Sequence, residues 1–241
     1  MSELINIRKN KFVLKSGKEI LLKGVNIPDP ICLKNKERQN IREVIEIISN
    51  LGANCIRVPV LPGHFKFYKN FFQNYIDPVV DLCEEKNLFC ILDWHAIGNP
   101  LTGETRLKKY FHESAFGKIF WYDSNINLAK KGLEELSKRY GDNNHVLFEL
   151  FNEPAPANKS IPSLGLSSLR WSDWKQVILN LIRIVRKNTN NVIIVGSTLW
   201  TYNLVDTAKD PIENEKNIAY ACHIYPIKIH TNWKICNKKR L

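Results

Sequence analysis

Residues 148–154 read FELFNEP: an apolar run, then Asn152 and Glu153, then Pro154. Proline has no backbone donor and holds the residue before it in extended geometry. A strand entering this stretch therefore ends on a carboxyl group. Taken alone, the stretch could also be a polar turn that stops strand pairing, so the rest of the chain has to decide.

Working outward, apolar runs of strand length alternate with segments of helical period, the pattern of repeated βα units around a parallel sheet. Strands are expected near 20–25, 54–60, 88–94, 145–151, 191–197 and 217–223. Between them, 38–51 carries Ile41, Val44, Ile45 and Ile48 at 3.6-residue spacing, with Gly52 as the stop. Further helices are expected over 75–86, 125–140 and 172–187, and a shorter one over 202–209. Residues 7–22, IRKNKFVLKSGKEILL, read as a hairpin around Ser16-Gly17 that caps the bottom of a barrel, within an N-terminal capping region 1–22. With 241 residues and 44% apolar content, the chain has the size of one α/β barrel domain over 1–241.

Composition removes several classes. There is no apolar run of about 18 residues for a membrane span, and MSELINIRKNKF lacks the apolar core of a signal peptide, so the chain as written reads as soluble and cytoplasmic, with its compartment left open. Cys32, Cys55, Cys83, Cys90, Cys222 and Cys236 show no CxxC spacing; Cys55, Cys90 and Cys222 fall in strand-like runs where a small buried thiol fits, so neither zinc nor a disulfide framework is expected. The formal charge of +11 comes from lysines spread along the chain, which reads as a solvated surface rather than a nucleic-acid interface. The densest basic run, 234–240, lies at the very end, and 235–241 is a candidate for a tail that is not native domain sequence.

In parallel barrels the chemistry sits at the C-terminal ends of the strands. Those ends carry Asn26, Arg57, Asp93-Trp94-His95, Asn152-Glu153, Trp200 just after the fifth strand, and His223-Ile224-Tyr225. Each has an ordinary structural reading: Arg57 pairing with Asp93, His95 as a core histidine, Trp200 as packing. Their recurrence at successive strand ends points to a site.

The stretches LLKGVN, NCIRVPV, FCILDWH, VLFELFNEP, VIIVGSTLW and IAYACHIYP, in this order, resemble glycoside hydrolase family 5, the cellulase family. The resemblance implies a (β/α)8 TIM-type barrel that hydrolyses β-linked oligo- or polysaccharides with retention of configuration and without metal or organic cofactor. Glu153 matches the general acid/base and Asn152 the neighbour that binds the substrate's 2-hydroxyl. Arg57 matches an arginine beneath the nucleophile, His95 a histidine lining the sugar site, and His223 and Tyr225 a pair flanking the nucleophile. Trp200 is a candidate sugar-stacking platform.

Such hydrolysis needs an acid and an attacking carboxylate about 5 to 5.5 Å apart. The family's nucleophile is a glutamate at the end of the seventh strand, whereas only sixteen residues follow Tyr225 here and no seventh or eighth strand is read in them. About six of eight strands are thus expected, in a chain truncated, frameshifted or split relative to the family. Glu149, four residues before Glu153, is expected about 13 Å from it at strand rise and towards the floor, too far to substitute. Glu104 and Glu113 lie in a long loop after His95, and nothing in the spacing favours either. An open six-stranded sheet is expected to expose two edges and to depend on a complementing fragment or on self-association. The alternatives are a carbohydrate-binding protein without catalysis, or the product of a decaying gene.

Overall fold

The computed structural model describes residues 4–156 and 169–225. Strands β1 (Ile5–Arg8), β2 (Lys11–Leu14) and β3 (Glu19–Ile20) form an antiparallel meander. The turn at Gly17 (φ 90°) is where the sequence places it; a second turn, at Lys9 (φ 58°) and Asn10, makes the cap three-stranded rather than a single hairpin.

The main sheet is wholly parallel. It runs β4 (Gly24–Asn26), β5 (Cys55–Val60), β6 (Phe89–Trp94), β11 (Val146–Glu149), β13 (Ile193–Gly196) and β14 (Ile218–Ala221). Each strand pairs with the next of these six in sequence, and the result is a curled partial (β/α)8 barrel. Five of the six expected strands are present with trimmed ends, while the first is displaced: β4 keeps only Gly24 and Val25 of the expected 20–25 and adds Asn26, and Ile20 belongs to β3. Cys222 falls outside β14 and is half-exposed, unlike the buried Cys55 and Cys90.

Helix α1 (Ile41–Asn50) is capped by Asn40, whose Oδ1 accepts from Arg42 N at 3.0 Å, and stops at Gly52 (φ 83°). A short α2 (Pro62–Phe67) follows β5, and a π-helical turn over Phe72–Ile76 leads into α3 (Asp77–Glu85). Helix α4 (Ile126–Tyr140) is capped by Asn125, and α5 (Trp171–Arg186) packs beside it. On α4 only glycine fits at Gly132, because a Cβ there would lie 2.1 Å from the Trp94 ring at the end of β6. The expected 202–209 helix is Leu204–Lys209.

The period-2 alternation of the strands divides the interior. Ile56, Val58 and Val60, with Cys90, Leu92 and Trp94, face the helices and pack on Ile45, Val79, Leu133, Ile178 and Ile182. Cys55, Phe89, Leu147 and Ile194 face inward and are covered by Ile5, Phe12 and Leu14 of the meander. This second cluster is the barrel floor. On the same inward faces one step higher stand Arg57 and Glu149, with Asp93 beyond them, so polar groups begin where the floor ends.

The segment expected as a loop after His95 is more ordered than its sequence suggests. Strand β7 (Ile97–Asn99) pairs with both β8 (Glu104–Thr105) and β12 (Glu153–Pro154), and β9 (Phe111–Ser114) with β10 (Gly117–Phe120) forms a separate hairpin. These strands are two to four residues long and carry no alternating pattern. No helix of the described residues is long and apolar enough to cross a membrane.

Candidate functional site

β11 ends at Glu149 rather than continuing to Phe151, because the chain turns at residues 150–152 and re-pairs beyond the end of β6. Asn152 N–H donates to Trp94 O at 3.0 Å, Glu153 N–H to Ala96 O at 3.1 Å and Ala155 N–H to Gly98 O at 2.8 Å. Both Asn152 and Glu153 are buried, held by backbone bonds rather than by the side chains that could act.

This bend corrects the expected separation of the two glutamates. Straight-strand rise places them far apart, yet both carboxylates meet one imidazole: His223 Nδ1 lies 3.2 Å from Glu153 Oε1, and its Nε2 lies 3.8 Å from Glu149 Oε1. Burial pulls the His223 pKa down, but the two carboxylates more than reverse this and lift it to about 9. The ring is therefore an imidazolium at neutral pH, hydrogen-bonded through Nδ1 to Glu153 and ion-paired through Nε2 with Glu149. Tyr225 approaches the same Glu153 oxygen, its hydroxyl donating at 3.5 Å. Burial and the Glu153 charge raise the pKa of that phenol.

Arg57 organises the layer beneath. Its Nε donates to Glu149 Oε2 at 2.6 Å and its Nη2 to Glu149 Oε1 at 2.9 Å, with Asn152 Oδ1 and Asp93 Oδ2 each 2.9 Å from Nη2. Burial resists the charge on Glu149, but His223 and this fork hold its pKa below the usual glutamate range. Glu149 is thus an ionised, fully engaged structural carboxylate, 2% exposed, and its oxygens are not free to attack a sugar. Because Asn152 Oδ1 accepts from Arg57, the Asn152 amide N–H2 is the group left for a ligand. Asp93 also binds Nδ1 of His95, whose ring lies 5.8 Å from that of Tyr122.

Trp200 arrives on an unusual turn. Leu199 (φ 55°, ψ 55°), Trp200 (φ 57°, ψ 42°) and Thr201 (φ 60°) are consecutive left-handed residues, a conformation costing roughly 1–3 kcal/mol per non-glycine residue. Thr201 offsets this cost by clasping two parts of the site. Its Oγ1 donates to Asn152 O at 2.7 Å, and its carbonyl accepts from His223 N–H at 3.0 Å. Thr201→Val keeps the shape and leaves the Asn152 carbonyl without this donor; a loss of about 1–3 kcal/mol in urea unfolding is expected, with Thr201→Ser retaining most of it. A Val variant as stable as wild type would show that the clasp contributes nothing.

Glu153 and Trp200 line one cleft of about 530 Å³ with Ile97, Thr105, Arg106, Leu107 and Lys108. The structure thus brings Arg57, Asn152, Glu153, His223 and Tyr225 into one bonded cluster and has Trp200 line the same cleft as Glu153, while His95 joins through Asp93. Glu113 is exposed on the β9–β10 hairpin, and Glu104 lies on β8 outside the residues lining the cleft. Sequence reading missed Thr201, whose role depends on an irregular turn, and the contribution of Arg106. Glu149 was legible by parity, since it shares the inward face of Leu147.

The described residues thus form a partial (β/α)8 barrel with an Asn-Glu pair beyond the end of β11, an arginine–carboxylate layer below it and a cleft that Trp200 helps line. The family model described as Cellulase (glycosyl hydrolase family 5) matches residues 13–240, and the chain belongs to that family. It is 25% identical over 190 residues to an endoglucanase of Bacillus sp. (strain KSM-635), covering 77% of this chain and 18% of the relative. It is 25% identical over 208 residues to cellulase CelDZ1 of a Thermoanaerobacterium species, covering 82% of this chain and 48% of the relative. A solved β-glucanase from Saccharophagus degradans in complex with cellotetraose superposes with a TM-score of 0.79 at 29% identity, over 94% of this chain and 63% of that one. The chain spans less than half the length of both curated relatives.

Proposed function

We propose that the chain carries the acid/base and sugar-binding part of a retaining β-glucan hydrolase of endoglucanase type. The observation that carries this reading is Glu153, fixed at a strand end, facing His223 and Tyr225 on one side and sharing a cleft with Trp200. In the proposed roles, Glu153 protonates the leaving glycosidic oxygen and later activates water. Asn152 donates its amide to a sugar 2-hydroxyl, and Arg57 holds Asn152 and Glu149 in place. His95, His223 and Tyr225 line the reacting sugar, with Trp200 stacking on its neighbour. The relative that binds cellotetraose and the endoglucanases among the relatives support a β-glucan as ligand.

Among the described residues that line the cleft, Glu153 is the only carboxylate. In this reading the attacking carboxylate is not one of the described residues that line the cleft. The sheet edges at β4, all of whose residues are exposed, and at β14 suit a complementing segment of further βα units, or a second copy of the chain. The same lack favours a second reading, carbohydrate binding without turnover.

Release of reducing ends from β-glucan, compared between wild type and Glu153→Gln, separates the two. Hydrolysis that falls by about 10²–10⁴ in Glu153→Gln supports the enzyme reading. Binding of cellotetraose without turnover, unchanged in Glu153→Gln, supports the binding reading. Hydrolysis indifferent to Glu153→Gln removes Glu153 from its proposed role.

A further inference from the structure

Two cations, Arg106 and Lys108, line the cleft, against one carboxylate, Glu153, among its described lining residues. Arg106 is set in place by its backbone N–H, which donates to Ile97 O at 2.8 Å. Its guanidinium donates through Nη2 to the Pro156 carbonyl and lies 5.9 Å from the centre of the Trp200 ring. The Nε is buried without a hydrogen-bond acceptor. Lys108 lines the same cleft. Among the described residues neither cation forms an ion pair with a carboxylate. Glu153, in the same cleft, has its Oε1 engaged by His223 Nδ1 at 3.2 Å.

A half-buried guanidinium without a carboxylate is costly unless a ligand completes it. Arg106 keeps most of its five donors, in a planar fork that matches carboxylate or sulfate oxygens. Trp200, with the guanidinium over its ring, is the aromatic side chain among the described residues lining the cleft. An inorganic anion would use the charge and not the ring, whereas a neutral sugar would use the ring and not the charge.

We propose that this cleft takes a β-linked oligosaccharide whose sugar unit next to Trp200 carries an anionic group, a carboxylate or a sulfate, bound by Arg106 with Lys108 adding to the field. The proposal rests on the glucan reading above and narrows its substrate to acidic or acid-substituted β-glycans.

The test is calorimetric titration of the chain with three tetrasaccharides: cellotetraose, its C6-carboxylated form and its C6-sulfated form. At low salt at least one anionic ligand is expected to bind about tenfold more tightly than cellotetraose, and the tighter of the two identifies the group. That advantage should disappear in Arg106→Gln, weaken in Lys108→Gln and shrink at 0.3 M salt. Lys108 is exposed, so its variant reports on the cleft even where Arg106→Gln fails to fold. Equal affinity for neutral and anionic ligands overturns the proposal and leaves the glucan reading standing. An advantage that survives both substitutions also overturns it, and failure of all three ligands to bind overturns both readings.

Discussion

Arg57→Met is expected to destabilise the fold by about 3–5 kcal/mol, measured as a shift in the urea unfolding midpoint, because it strands two buried carboxylates. Asp93 and Glu149 are 0% and 2% exposed, and Arg57 forms an ion pair with both. This guanidinium answers both at once, while His223 also faces Glu149 and His95 also bonds Asp93. The substituted methionine fills space without answering either. Arg57→Lys should recover only part of the loss, since an ammonium cannot form the two-pronged contact with Glu149 while also reaching Asn152. A loss under about 1 kcal/mol for Arg57→Met would mean that the carboxylates are neutral or hydrated, and the polar layer would then not be the support of Glu153.

The second large effect is on pH dependence. The His223 pKa lies at about 9 in the folded chain against an ordinary 6.5. A raised folded-state value means that the protonated ring stabilises the fold, fully so below pH 6.5 and progressively less as pH rises through 9. A shift of this size corresponds to about 3 kcal/mol for a side chain that is only 15% exposed. Unfolding free energy should therefore fall by about 2–3 kcal/mol between pH 6.5 and 9.5. His223→Gln should remove that slope and lower stability at pH 6, while the two variants converge near pH 9.5. If the slope persists in His223→Gln, another group is responsible and His223 is not the charged link between Glu149 and Glu153.

Most of the parallel sheet was legible in the sequence because buried strands write themselves as apolar runs, and NCIRVPV, FCILDWH and VLFELF are of that kind. The helices were legible because their apolar positions recur at helical spacing and asparagines cap two of them. The site was legible in part for the same reason: the end of a strand marks where an interior side chain meets the opening. What escaped were features set by backbone geometry without pattern. The bend after Glu149 brought two glutamates to one histidine, although straight-strand arithmetic kept them apart. The left-handed turn over 199–201 has no glycine to announce it, and its Thr201 clasp depends on partners 49 residues before and 22 residues after in the chain. The small strands after His95 are too short for alternation to register, yet β7 is what locks the backbone of Glu153. The run near 234–240 lies outside the described residues, so the reading of 235–241 as a foreign tail stays a sequence expectation.

The central claim is that the cluster around Glu153 is a glucan site, and titration calorimetry of cellotetraose against wild type and Trp200→Ala tests it most directly. The account predicts saturable binding at one site, weakened about tenfold or more when the indole is removed. Absence of binding by the wild-type chain, or binding that ignores Trp200→Ala, would contradict it.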